Sequence, residues 1–302
     1  MKSILRIILF VCLANVVSAQ QIPLTSQYMF NNYLLNPAEA GSVDYIPITL
    51  SARAQWNGIK GAPKTQFLSA HSKLGKNNGV GGYVYKDETG PISQQGIQLS
   101  YAYHLSINEE AKISFSLAGM LFFYDINRAA LIPDEADDAA LNTLKVNSIS
   151  PDINFGILYY TDKYKIGFSS PQVLQNSIYS SAGDTNLTKL ARHYYLFGEY
   201  EFEMNDKIDV VPSTLVKYVS GAPFQFDLNV KALYLKKYWI GASYRYNNAV
   251  VGMLGLNMEN FSFGYAYDYS MTDIADYSGG AHEIFLTYKL MKKKEASERR
   301  FD

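Results

Sequence analysis

Few residues of this chain have types and spacing suited to chemistry. Ser100 and His104 fall on the same face of an alternating stretch, as a hydrolase pair would. His282 and Glu283 begin like a zinc-binding His-Glu-x-x-His motif, but no second histidine follows at the required spacing. The acidic run at 134–138 lacks the spacing and the glycine of an EF-hand calcium loop. The sequence therefore predicts no enzyme, no cofactor and no metal site.

The elements that must position these residues are strands. Along residues 261–269 large aromatic side chains alternate with small or polar ones. Residues 224–231 show an equally regular alternation between apolar and polar side chains. Successive side chains of a strand point to opposite faces, so each strand has one apolar and one polar face. The aromatic ladder consists of Phe261, Phe263, Tyr265, Tyr267 and Tyr269.

Residues 1–19 are predicted to be a cleaved secretory signal peptide. Lys2 and Arg6 precede an apolar stretch, and small residues end at Ala19, where signal peptidase cuts. Cys12, the one cysteine of the chain, lies inside this segment. The mature chain is therefore expected to have no disulfide and no thiol chemistry.

The composition indicates a membrane protein that crosses with strands. Acidic and basic residues nearly balance, with 28 Asp and Glu against 27 Lys and Arg, which argues against nucleic acid as a partner. After residue 20 no apolar run is long enough for a membrane helix, yet the chain has 25 Tyr and 16 Phe. A closed barrel satisfies every backbone group inside a bilayer. A soluble sandwich or propeller with an aromatic core is the alternative.

The predicted fold is all-β: a transmembrane antiparallel β-barrel of about 14 strands, with a short N-terminal periplasmic segment. Residues 20–46 are assigned to a periplasmic or plug segment, 47–291 to the barrel and 292–302 to a charged tail. A short helix is expected around residues 28–35. Long connections at 125–150, 170–190 and 270–281 should share one end, because they all follow odd-numbered strands. The tight turn at Asn247-Asn248 is the exception expected at that end.

Several short motifs in a fixed order resemble the PorP/SprF family of outer-membrane proteins of the Bacteroidetes type IX secretion system. They are Gln27-Tyr28-Met29-Phe30-Asn31, Leu35-Asn36-Pro37-Ala38, Arg53-x-Gln55-Trp56 and Gly61-Ala62-Pro63. The resemblance implies an outer-membrane barrel that assists export or surface attachment of a specific substrate, such as a gliding adhesin. It brings no catalytic residue. The family-matching candidates for partner contact are Tyr28, Phe30, Asn31, Asn36, Pro37, Arg53, Gln55 and Trp56.

The partners that the resemblance implies are outer-membrane lipid, the C-terminal domain of a secreted substrate, periplasmic lipoproteins and other type IX secretion components. Two alternatives to this function remain. One is a passive or substrate-selective channel of the porin or fatty-acid-transporter kind. The other is a membrane-embedded hydrolase that would use His104 or the loop at 125–150.

Overall fold

Fourteen antiparallel strands close into a barrel, as the sequence predicts. The structure is a computed structural model that describes residues 26, 28–127, 130–131, 147–179, 188–220 and 222–291. The first strand pairs with the last, and the eighth with both the seventh and the ninth. The strands are β1 Tyr45–Ala54, β2 Lys64–Leu74, β3 Asn78–Thr89, β4 Ile92–Ser106, β5 Lys112–Ile126, β6 Asn147–Tyr160, β7 Tyr164–Ser170, β8 His193–Tyr200 continuing as Phe202–Asn205, β9 Ile208–Val219, β10 Gln225–Tyr234, β11 Tyr238–Arg245, β12 Ala249–Asn257, β13 Phe261–Ser270 and β14 Ala281–Met291.

The eighth strand is interrupted once. Glu199 pairs with Ser213 and Phe202 with Val210, so the register against β9 is the same on both sides of the interruption; it shifts by one residue only between Glu203 and Asn205. Pro212 of β9 lies within the interrupted stretch, where a proline can give no N–H to the ladder. Outside the barrel sheet, residues 177–179 and 188–189 form a short hairpin. No helix in the described part of the chain is long and apolar enough to cross a membrane.

The two faces of the strands lie as the alternation predicts. In β13 Phe261 and Tyr269 point outward, whereas Ala266 and Asp268 are buried inside the barrel. The outward side chains of β13 are therefore large and apolar, where lipid can cover them, and its small or polar side chains face the lumen. The same division holds in β10, where Leu228 is 52% exposed and its neighbour Asp227 is fully buried.

The connections divide between the two ends of the barrel as predicted. The strand ends joined by the connections 127–146, 171–192 and 271–280 lie at one end, which we call the long-loop end, together with residues 55–63. The opposite end, the short-turn end, has tight connections throughout, such as residues 235–237. The tight turn after β11 is at the long-loop end, where the sequence predicts this exception.

Residue 26 and residues 28–44, which precede β1, contact the inner side of the barrel, and we call them the plug. The predicted single helix is wrong: this segment forms three 3₁₀ turns, Tyr28–Phe30, Asn32–Leu34 and Pro37–Glu39. The reason is local. Asn31 has φ −141° and ψ 66°, which breaks the first turn from the second, and Asn36 is extended, as a residue before proline prefers.

Candidate functional site

The plug is held at the long-loop end by a buried ionic cluster around Ser26. Arg53 of β1 lies between two carboxylates, with Nη2 2.8 Å from Asp268 Oδ2 and Nη1 3.1 Å from Glu283 Oε2. The Ser26 backbone N–H donates to Glu283 Oε2 at 2.7 Å, and its hydroxyl donates to Asp268 Oδ2 at 2.7 Å. Arg53 Nη1 also donates to the Ser26 hydroxyl at 2.7 Å. We call Ser26, Arg53, Arg245, Asp268 and Glu283 the latch.

Arg245 extends the cluster toward β10. Its Nη1 lies 3.4 Å from Asp268 Oδ2, its Nη2 donates to the Ser26 hydroxyl at 3.2 Å, and its Nε lies 3.6 Å from Asp227 Oδ1. Lys217 Nζ lies 3.2 Å from the other oxygen of Asp227. Three cations thus face three carboxylates, all nearly without solvent contact. Charges buried in this way are tolerated because each is paired and hydrogen-bonded.

Two aromatic side chains follow the latch along the plug. The Tyr28 hydroxyl accepts a hydrogen bond from Asn229 Nδ2 at 2.8 Å. Burial, with the nearby Asp227 carboxylate as the second cause, raises the pKa of Tyr28 above its ordinary value, so the phenol stays neutral. Phe30 stacks on Trp239 with ring centroids 4.0 Å apart, and Lys231 Nζ lies over the Phe30 ring, 4.8 Å from its centroid.

The plug then crosses the lumen to the short-turn end. The Tyr33 hydroxyl shares a hydrogen bond of 2.7 Å with Ser100, and burial raises the pKa of Tyr33 to about 12. Asn36 caps the last 3₁₀ turn through its Oδ1 and donates from Nδ2 to a backbone carbonyl of β6 at 2.9 Å. His104 Nε2 lies 2.7 Å from the Ala40 carbonyl oxygen. Strand side chains therefore hold the plug at both ends and in the middle.

Two glycines of the barrel wall give the plug its room. A Cβ on Gly79 would run into the Ala40 carbonyl, and one on Gly156 into the Asn36 side-chain oxygen. Both positions lack a side chain where the plug backbone or its cap meets the wall. The lumen is thus shaped around the plug.

Ser100 and His104 do not form the pair that a hydrolase would need. Ser100 binds Tyr33, while the two His104 nitrogens lie against the Ala40 carbonyl and the Tyr160 hydroxyl. Both residues therefore contact the plug and its surroundings.

The residues of the other candidate motifs either contact neighbouring side chains of the barrel or lie outside the described residues. His282 Nδ1 lies 2.7 Å from the Tyr265 hydroxyl, and Glu283 belongs to the latch. The described residues hold no group of three or more His, Cys, Asp or Glu side chains able to bind a metal ion. The acidic run at 134–138 lies outside the described residues.

The long-loop end carries a second candidate site in residues 55–63, which we call the rim loop. Backbone hydrogen bonds tie Asn57 to Gly279 and Gly280 of the next connection, at 2.7 and 2.8 Å, and Gly61 to the turn after β3 at 2.8 Å. Trp56 has φ +50°, a left-handed conformation that is strained for a bulky residue. The rim loop lines a cleft of about 610 Å³ together with residues from the β3–β4 turn.

The structure separates the eight predicted partner-contact residues into two groups. Six lie in the lumen and contact the barrel or the plug: Tyr28, Phe30, Asn31, Asn36, Pro37 and Arg53. Gln55 and Trp56 are half-buried in the rim loop. Contact with a partner remains a prediction for all eight, and only the rim pair faces the cleft at the long-loop end.

The sequence analysis did not bring the latch residues together. The alternation puts Arg53 and Asp268 on the polar faces of their strands, as it does Asp227 beside the latch, but nothing in the local pattern joins these residues. The available signal was the presence of opposite charges on lumen-facing positions near the same end of several strands. Charges buried in a lumen need partners of opposite sign, so these positions predict one another.

Among solved structures, the chain is similar to outer-membrane barrels. The Ralstonia pickettii toluene transporter TbuX has a TM-score of 0.52 at 9% identity, over 86% of this chain and 93% of that one. The CymD monoaromatic hydrocarbon channel has a TM-score of 0.51 at 14% identity, over 91% of this chain and 95% of that one. Identities this low show the shared barrel fold and nothing about ligands.

Sequence comparison identifies the family. No curated protein sequence matches the chain. A family model described as type IX secretion system membrane protein PorP/SprF matches residues 17–288, nearly the whole length. The barrel fold and this match together imply the outer membrane as its location. The chain therefore belongs to the PorP/SprF family of type IX secretion system membrane proteins.

Proposed function

We propose that this protein serves type IX secretion by binding, as a plugged barrel that assists export or surface attachment of one specific substrate such as a gliding adhesin. The substrate's C-terminal domain is the part bound. Periplasmic lipoproteins and other secretion components are the further partners. The single observation that carries the proposal is the plug, which passes through the lumen from the latch to His104.

The contacts of the plug favour a closed barrel over a channel. An open porin needs a water-filled path, and its lumen is lined by polar groups that solvent satisfies. Here Arg53, Asp268 and Glu283 make their hydrogen bonds and ion pairs with each other and with Ser26, although Arg53 Nε and Asp268 Oδ1 have no partner among the described residues. Removing Ser26 from this cluster would leave charges short of hydrogen-bond partners in a confined space. The resting state supported by these contacts is therefore a barrel without a wide pore.

The rim loop is the surface best suited to hold a substrate. Its backbone is fixed by hydrogen bonds to two neighbouring connections, so little ordering entropy is lost on binding. Trp56 is half-buried beside the cleft, and tryptophan is a frequent energetic centre of protein interfaces. We assign the substrate contact to the long-loop end, which is the extracellular end in barrels of this kind.

Deletion of the gene tests the proposal in the living cell. We expect the deletion strain to lose surface display of one secreted adhesin, while other surface proteins remain, because the barrel serves a specific substrate. Immunolabelling of intact cells measures display, and mass spectrometry of proteins co-purified from detergent-solubilised outer membrane names the substrate. A deletion strain with every secreted adhesin displayed at its normal level would contradict the proposal.

A further inference from the structure

Three neighbouring strands are longer than a membrane crossing requires. β4 and β5 have 15 residues each and β6 has 14, whereas β11 has 8 and β12 has 9. A tilted strand crosses the hydrocarbon core in about 9 to 11 residues. Because β4, β5 and β6 follow one another in the sheet, their excess lengths form one continuous piece of barrel wall, which we call the tall wall.

The outward side chains show where the excess length lies. On the outer face of the tall wall, apolar side chains occupy the alternate positions of 97–105 in β4, 113–121 in β5 and 151–159 in β6, interrupted only by Gly119. Each of these ranges is long enough to cross the membrane. Residues 92–96, 122–126 and 147–150 therefore project beyond the lipid, at the long-loop end.

The projecting part of the tall wall has an apolar pair on its outer face. Phe123 of β5 lies directly opposite Ile149 of β6 in the ladder. Their neighbours Phe122 and Ser150 are buried inside the barrel, so both members of the pair point outward. Phe123 is half-buried and Ile149 is 67% exposed. Lipid does not reach these two side chains, and their apolar surface is open to another molecule.

Polar side chains surround this pair and complete a groove. Gln95 of β4 lies opposite Phe123, and the next outward row of the ladder toward the long-loop end is polar throughout. The groove has a volume of about 570 Å³. We call six of its lining residues the wall patch: Ser93, Gln95, Phe123, Asp125, Asn147 and Ile149. An apolar centre inside a polar rim is the usual anatomy of a protein interface.

The wall patch is continuous with the cleft of the rim loop. Ser93 and Asp125 line both the cleft and the groove. A protein bound to the rim loop at Trp56 therefore reaches Ile149 along one unbroken surface. Lipid headgroups and sugars are polar and would leave the apolar pair uncovered, whereas an apolar side chain of a protein covers it.

We propose that the wall patch is a second contact site for the secreted substrate, whose C-terminal domain packs a large apolar side chain against Phe123 and Ile149. This inference rests on the function proposed above and extends the substrate contact from the rim loop to the tall wall. The rim then orients the substrate, because the Gln95 amide both donates and accepts hydrogen bonds and the Asp125 carboxylate accepts them. The chemistry recognised is an apolar anchor flanked by polar groups.

Replacing the apolar pair tests the wall patch. Phe123→Ser combined with Ile149→Ser removes two outward side chains, so the barrel should reach the outer membrane in its normal amount. We expect display of the adhesin that the deletion strain loses to fall at least tenfold, as measured by immunolabelling of intact cells. Tyr246→Ser is the matched control, because Tyr246 is an exposed aromatic residue at the long-loop end of the opposite wall. Display should stay normal in this control.

The deletion strain separates failure of this inference from failure of the proposed function. Normal display in the double variant, together with lost display in the deletion strain, would overturn the wall patch and leave the proposed function standing. Normal display in the deletion strain itself would overturn both.

Photo-crosslinking from a single position is the second test, and it leaves Phe123 in place if the double variant does not assemble. Ile149→Cys supplies one thiol, because Cys12 lies in the predicted signal peptide. A benzophenone maleimide attached to this thiol on intact cells captures the molecule that covers the wall patch. We expect it to capture the adhesin that the deletion strain loses, and the same label on Tyr246→Cys to capture none of it. Capture of a second copy of this chain, of lipid alone or of no protein would contradict the proposal.

Discussion

Replacing Arg53 with methionine is expected to destabilise the barrel by about 3–5 kcal/mol, the usual cost of removing one partner from a buried ion pair. Asp268 and Glu283 would both lose the Arg53 guanidinium, leaving Asp268 with Arg245 alone, and both carboxylates are nearly without solvent contact. Methionine fills much of the arginine stem's volume, so the loss is one of charge pairing more than of packing. The plug should also lose its attachment at Ser26, which Arg53 contacts directly.

Urea unfolding of the protein in lipid vesicles measures the stability change, with tryptophan fluorescence as the signal. Arg192→Met is the matched control, because Arg192 binds only a backbone carbonyl in the described structure and should cost far less. A variant combining Arg53→Met with Glu283→Gln should recover most of the lost stability, since Arg245 and Lys217 then face Asp227 and Asp268 with no charge in excess. An Arg53→Met protein as stable as wild type would show that the latch does not hold the plug.

Replacing Trp56 with glycine is expected to abolish substrate retention while the barrel remains intact. Glycine adopts φ +50° without strain, so the rim loop should keep its conformation. The indole ring is lost, and removing a tryptophan at an interface centre typically costs about 2 kcal/mol or more, which is about a thirtyfold loss of affinity. The large effect on binding and the small effect on folding separate a contact residue from a structural one.

Surface labelling of the displayed adhesin measures this effect, with the amount of barrel in the outer membrane measured in parallel. Tyr238→Ala is the control, because Tyr238 is an exposed aromatic residue at the opposite, short-turn end. Display should fall in Trp56→Gly and stay normal in Tyr238→Ala. Normal display in both variants would remove the rim loop from the substrate contact.

The barrel wall was predictable because its signal is local. The alternation of rings and small residues at 261–269 assigns each side chain to a face, and a shift by one residue would turn every ring into the lumen. The loop lengths then place the long connections at one end. These features need only the period of a strand and the count of strands.

The interior was not predictable in the same way, because its contacts are distant in sequence. Ser26 and Asp268 are separated by 242 positions, and no local pattern reports their contact. The plug also lacks a helical or strand period, since Asn31 and Asn36 break it into short turns.

Electrical recording of the wild-type protein in planar bilayers tests the plugged barrel most directly. With Ser26 held in the latch and Ala40 against His104, we predict no large steady current at any modest voltage. Brief openings are compatible with movement of the plug. A large, steady, open-channel current from the intact wild-type protein would contradict the account and favour the channel alternative.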